Sequence, residues 1–298
     1  LTSSSSSGVA VRLSSESVAR AVDNGTSTVG SATGVMHVVV QLSDADLTAV
    51  QLEPELCREQ SSCFVSVEAQ ALVQDMVGNA LVNQTDIALT SFAPDATPPQ
   101  LEQFCLDMDS EVLQLSFSEV VNVSSVSIAG NLRLQSDADY TSDPGVQFFD
   151  FAGTSSHGPV VANTTLGVGT DAFCNVLEVP LTPATLNRVK ELWQLATART
   201  NTFVAVDSKL LVDVQGNAVS PISPTSALQE HTCHVPDTTQ PRLVSFSLDM
   251  DALEMQLVFS ETVNATTLLG EALVLIPAQV GANISLADKV TELQGLRL

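Results

Sequence analysis

Residues 97–126 read TPPQLEQFCLDMDSEVLQLSFSEVVNVSSV, and residues 239–268 read TQPRLVSFSLDMDALEMQLVFSETVNATTL. The two stretches align without a gap at an offset of 142 residues. Pro99 falls on Pro241, Phe104 on Phe246, Asp107-Met108-Asp109 on Asp249-Met250-Asp251, Phe117-Ser118-Glu119 on Phe259-Ser260-Glu261, and Asn122 on Asn264. Within each copy the apolar period is two. Leu113, Leu115 and Phe117 alternate with Gln114, Ser116 and Ser118, and Met255, Leu257 and Phe259 alternate with Gln256 and Ser260. Such alternation indicates half-buried strands.

A second match extends the similarity backwards at an offset of 139 residues. Asn24 falls on Asn163, Gly30 on Gly169, Leu42 on Leu181, Leu47 on Leu186 and Phe64-Val65 on Phe203-Val204. Leu1-Thr2-Ser3 meets Tyr140-Thr141-Ser142, and Asp75, Gly78 and Asn79 meet Asp213, Gly216 and Asn217 one residue out of phase. Self-similarity at a long fixed period signals a repeat architecture. The chain is therefore expected to be permuted relative to its own repeat. Residues 1–96 are the back part of one repeat, 97–238 a complete repeat, and 239–298 the front part of a further one. The opening Ser run carries no signal peptide and reads as the start of a processed or excerpted piece.

Val38–Val40, Phe64–Val67, Phe203–Val206, Leu210–Val212 and Leu273–Ile276 also read as strands. One short helix per repeat is expected, beginning at the N-cap hydroxyls of Ser43 and Thr182, with Pro183 at a first helical position where its missing N–H is not needed. Leu186 and Val189 then face the sheets. The Asp-x-x-Gly-Asn stretches at Asp75 and Asp213 read as tight turns in which Gly and Asn tolerate positive φ. The segments before the Phe104 and Phe246 strands, Asp-Ala-Thr-Pro-Pro and Asp-Thr-Thr-Gln-Pro, read as stiff extended linkers.

The linker D-x-T-x-P, the strand ending F-S-E-x-V-N, the short S/T-x-A-x-L helix and the D-x-x-G-N turn together resemble bacterial-type immunoglobulin-like repeats. Such repeats are strung along large secreted and surface proteins, including algal and protist flagellar hairs and extracellular fibrils. The resemblance covers nearly the whole chain. It implies an all-β fold of tandem immunoglobulin-like β-sandwich domains, each with one short helix. It transfers no catalytic residue.

Composition narrows the function. Of 298 residues, 34 are Asp or Glu and 11 are Lys or Arg, a net charge of −23. That argues against a nucleic-acid partner, which needs clustered Lys and Arg, and against docking on anionic lipid. Hydrophobic residues make up 44%, too many for a disordered chain. No run approaches the roughly 18 apolar residues of a membrane helix, so no membrane insertion is expected.

N-x-S/T sequons occur at Asn24, Asn83, Asn122, Asn163, Asn264 and Asn283. Chance in a chain this rich in Ser and Thr gives roughly two or three. Two pairs, Asn24 with Asn163 and Asn122 with Asn264, occupy matched positions. N-linked glycans and an extracellular or cell-surface location are expected, and the run Ser3–Ser7 is either an O-glycan carrier or a flexible loop. Cys57 and Cys63 match Ala196 and Thr202, and their joint replacement fits a local disulfide. Cys174 and Cys233 are the second expected pair, with Cys105–Cys174 as the alternative.

Few constellations carry chemistry. There is no P-loop, G-x-G-x-x-G or G-x-S-x-G, and no enzyme is expected. His231-Thr232-Cys233-His234 is the one metal-like cluster; a metal there would need partners from elsewhere, and a linker loop is the favoured reading. Carboxylates Asp107, Asp109, Glu119, Asp249, Asp251 and Glu261 recur near the junctions. They are either a Ca²⁺ site, which takes six to eight oxygens, or turn caps that keep a glycosylated surface soluble. Two functions follow. The first is a structural segment of an extracellular filament whose half-domains are completed by copies of itself, head to tail. The second is an adhesin or carbohydrate-binding stalk using the aromatic insert of Tyr140, Phe148, Phe149, Phe151 and His157.

Overall fold

A computed structural model describes residues 10–22, 37–53, 55–67, 72–75, 77–152, 156–230 and 233–276. The chain divides into two compact units, Leu1–Glu261 and Thr262–Leu298. In chain order the elements are β1 (Val18–Val22), β2 (His37–Gln41), α1 (Asp44–Leu52), β3 (Phe64–Val67), β4 (Gln84–Ala88), β5 (Leu101–Asp107), β6 (Val112–Asn122), β7 (Leu132–Gln135), β8 (Phe148–Asp150), β9 (Val161–Ala162), β10 (Phe173–Pro180), α2 (Pro183–Glu191), β11 (Phe203–Val206), β12 (Leu228–Gln229), β13 (Leu243–Asp249) and β14 (Glu254–Phe259). All strand pairings are antiparallel. Among the described residues the fold is all-β apart from two short α-helices and a few 3₁₀ turns.

Two four-stranded sheets, β5-β6-β10-β9 and β8-β7-β11-β12, make the centre of the molecule. Their inward side chains join one core: Phe104, Leu106, Leu113, Leu115 and Leu177 from the first sheet, Leu132, Leu134, Val204 and Val206 from the second. The predicted alternation is realised in β6, where Leu113, Leu115 and Phe117 are buried. Helix α2 closes one side. The Thr182 hydroxyl accepts the Thr185 N–H, Pro183 occupies the first turn, and Leu186 and Val189 are buried. In the tight turn after Val212, Gly216 takes φ +95° and the Asp213 carboxylate caps the Gln215 and Asn217 amides.

The matched segments copy this local structure closely. Leu243 pairs with Phe259 as Leu101 pairs with Phe117, each pair followed by the same register shift. Asp107 caps the amides of Asp109 and Ser110, and Asp249 caps those of Asp251 and Ala252. Ser43 caps α1 as Thr182 caps α2, and Gly78 takes φ +92° in the turn that Asp75 caps.

Burial does not follow. Phe104 is 2% exposed and its match Phe246 is 55% exposed; Leu106 is 0% exposed and Leu248 is 46%. Leu47, Phe64 and Val65 lie in water while Leu186, Phe203 and Val204 are buried. The difference follows the strand neighbours among the described residues: there β6 lies between β5 and β10 while β14 pairs with β13, and β11 lies between β7 and β12 while β3 pairs with β4. Every buried hydrophobic side chain among the described residues lies between Leu101 and Val219.

Two expected strands are absent. Leu210–Val212 is extended but bonds one residue at a time, through Leu210 to Ser127, Val212 to Asn122 and Leu211 to Val219. Leu273–Ile276 follows a 3₁₀ turn, Gly270–Ala272, and has no partner strand among the described residues. The matching β7 is held on both edges, by β8 and β11. An unpaired segment has nothing to satisfy its backbone groups as a strand would.

The contrast yields a measurable outcome. In dilute urea titrations Phe104→Ala lowers stability by about 3–5 kcal/mol, the range for a truncated core aromatic. Phe246→Ala changes it by no more than about 0.5 kcal/mol, as expected for a side chain in water.

Candidate functional site

The polar feature of the first unit is a pair of matched contacts between a helix, a linker and a strand end. At one, the Lys190 ammonium near the end of α2 lies 2.8 Å from Asp237 of the linker and 2.5 Å from Glu261 just beyond β14. Burial works to lower the Lys190 pKa, but hydrogen bonds to the two carboxylates and their charges outweigh it, and the net shift is upward. At the other, Gln51 of α1 stands at the Lys190 position. Its amide donates to Asp95 of the linker at 3.2 Å and to Glu119 of β6 at 3.5 Å.

Asp213 joins the Gln51 group, so that one oxygen each of Asp95, Glu119 and Asp213 lie within 4.8 Å of one another. Asp213 is buried and capped by Asn217, whose amide also donates to the Asp95 carbonyl. Burial first, then the charges of Asp95 and Asp213, push the Glu119 pKa up to about 7, against the Gln51 hydrogen bond. Of the carboxylates expected to recur around Ca²⁺, this group contains Glu119 alone. The expected partners of Glu119 are engaged elsewhere: Asp107 caps its own turn, and Asp109 binds the Thr238 amide and hydroxyl and the Thr239 hydroxyl. Gln51 and Lys190 were not singled out by the sequence, and Asp95 and Asp213 were read only as linker and turn residues. The signal was present, since Asp95 matches Asp237 and Gln51 matches Lys190 in the same two alignments.

Beside this group opens a cleft of about 740 Å³, with Leu42, Leu47, Val50 and Phe92 on its apolar wall. The matches of the first three, Leu181, Leu186 and Val189, are core residues. The opposite side of the cleft is polar, with Gln51, Arg58, Asp95, Glu102 and Glu119 among its lining residues.

Cysteine pairing differs in part from expectation. Cys57–Cys63 forms, but Cys233 pairs with Cys105, not with Cys174, which is a buried thiol. The reason is strand alternation. Phe104 and Leu106 point inward, so Cys105 points outward from β5. The segment through Val235 runs beside β5, bonding Leu106 and Met108, and brings Cys233 to a Cα–Cα distance of 5.5 Å. Cys174 points into the core from β10. The oxygen-and-sulfur group Cys105, Glu230 and Cys233 therefore has both sulfurs in a disulfide. His234 bonds the buried Glu230 through Nδ1 at 2.7 Å; His231 lies outside the described residues.

Among the sequons, Asn83 and Asn264 are exposed. Asn122 and Asn264 cap 3₁₀ turns through their side-chain oxygens, and Asn163 donates its amide to Glu178 at 2.6 Å. Asn24, Asn283 and Ser3–Ser7 lie outside the described residues. In the aromatic insert, Phe151 is core and Phe149 packs edge-on against it at 5.1 Å. Phe148 and Tyr140 are exposed, with the Arg133 guanidinium 4.3 Å and 5.2 Å from their ring centres. No helix among the described residues is long and apolar enough to cross a membrane. Comparison with protein-family models, curated proteins and solved structures finds no match for this chain.

Alkylation in denaturant without reductant, followed by peptide mapping, labels Cys174 alone. Label on Cys105 with Cys174 protected would overturn the Cys105–Cys233 pairing.

Proposed function

We propose that this chain is a structural segment of a glycosylated extracellular filament, built from immunoglobulin-like sandwich repeats whose half-domains are completed by a neighbouring copy. One observation carries the reading: the outer segments reproduce the local structure of the central one, and among the described residues they do not show its full set of strand neighbours. β14 corresponds to β6 without β10, and β2 corresponds to β10 without β6. Among the described residues no further strand pairs with the second edge of either, and the two edges are complementary. Strand addition joins such edges through main-chain hydrogen bonds, while the exposed apolar faces supply the driving force. The contact is head-to-tail, which makes chains when the rotation does not close.

The net charge of −23 limits lateral clumping of such chains. The disulfides and the sequons support an oxidising, extracellular setting. The adhesin reading draws less support, because Phe149 and Phe151 belong to the core and Arg133 sits against both exposed rings.

Electron microscopy and sedimentation of the purified chain will show linear assemblies that lengthen with concentration. Single globules at every concentration would sink the self-completion reading. Leu248→Arg puts a charge on the exposed face of β13; it abolishes assembly and leaves the unfolding of the central sheets unchanged. Protein secreted from a eukaryotic host loses mass on N-glycosidase treatment, and an unchanged mass removes the glycoprotein part of the reading.

A further inference from the structure

The two matched contacts have the same three parts: a helix residue, a linker aspartate and a glutamate at the end of a strand. Lys190, Asp237 and Glu261 make one; Gln51, Asp95 and Glu119 make the other. In each, the helix belongs to the segment before the linker and the glutamate to the segment after it. The contact therefore ties together the two sides of a proline-containing linker.

We propose that this contact is a clasp fixing the joint between successive segments, and that the helix residue decides its behaviour: Lys190 pins one joint by charge, and Gln51 leaves the other to close when Glu119 takes up a proton. The device acts within a single chain and does not depend on filament formation.

The electrostatics of the two clasps differ for a simple reason. The Lys190 ammonium lies between Asp237 and Glu261 and offsets their repulsion, and its own pKa is raised, so it keeps its charge through neutral pH. The Gln51 amide donates hydrogen bonds but carries no charge. Glu119 on β6 faces Asp95 from the linker, Asp213 from the tight turn and Gln51 from α1. Arg58 is the basic group on that side. It binds the Gln51 and Glu53 carbonyls at the end of α1 and interacts with Asp213, while Glu102 of β5 lines the same cleft.

The direction follows from Glu119, whose pKa is raised from its ordinary value of 4.5 to about 7. A carboxyl with a raised folded-state pKa contributes fully below its unfolded value and loses that contribution as pH rises through the folded one. Protonated Glu119 can donate to a neighbouring carboxylate; ionised Glu119 repels both. The first joint is thus closed in mild acid and loosened above neutrality. The second stays closed throughout.

Hydrogen exchange of the α1 amides, corrected for intrinsic rates, reads the first clasp, and that of the α2 amides reads the second. Between about pH 5.5 and about pH 8.5 the protection of α1 falls by about tenfold, a figure discounted for solvent screening of a half-buried group. α2 protection does not change. Gln51→Lys removes the pH dependence of α1, as does Glu119→Gln, which holds the side chain uncharged. Lys190→Gln weakens α2 protection. An α1 protection independent of pH in the unmodified chain would overturn the proposal. So would a Gln51→Lys profile that follows the unmodified one. Glu119→Gln keeps the side chain's size and hydrogen bonding, so it reports on charge even where the lysine variant folds poorly.

Discussion

A two-stranded hairpin has one apolar face, and that face is stable only when a second layer covers it. In the central segment the second layer is present. β10 pairs with β6, and β7 and β11 lie across from them, so that Leu106, Leu113, Leu115, Leu134, Leu177 and Val204 share one dry interior. In the outer segments the same hairpin and helix form, with the same caps and turns, and the described residues supply no second layer over them. Phe246, Leu248 and Leu47 are accordingly exposed, and a cleft opens beside α1.

The central sheets are secured by polar contacts of long reach. Glu230, fully buried, accepts the Leu106 amide at 2.6 Å and holds His234 with its other oxygen. Cys105–Cys233 ties the same segment to β5 across a separation of 128 residues. Closing so long a loop restricts the unfolded chain strongly. Asp109 then holds Thr238 and Thr239, so the linker leaves the central segment in a defined direction. Disulfide, buried carboxylate and clasp act at successive points along residues 230–241.

Much of this was legible in the sequence. The two hairpins, both helices with their N-caps, and the two Asp-x-x-Gly-Asn turns lie where alternation, Ser43, Thr182 and Pro183, and Gly78 and Gly216 place them. These are local signals, complete within about ten residues. The misses have a common origin. Leu210–Val212 and Leu273–Ile276 have strand composition, but being a strand requires a partner, and partners come from elsewhere in the chain. Cys174 was paired with Cys233 as the clip from the middle to the end of one repeat, whereas the pleat of β10 turns it inward and the pleat of β5 turns Cys105 outward. Glu119 was seen as a recurring acid, but its neighbours Asp95 and Asp213 come from a linker and a turn 118 residues apart.

By itself, then, the sequence determined the repeated units: which stretches extend, which turn, which cap a helix, and which positions correspond. The physical reason is that backbone propensity and period-two patterning act over neighbouring residues. Tertiary structure alone decided which copy of each unit is buried, which cysteine Cys233 reaches, and which side chain stands between the linker and strand carboxylates. Those outcomes depend on distant segments meeting, so two similar local patterns stand in different environments among the described residues, with Phe104 buried and Phe246 exposed.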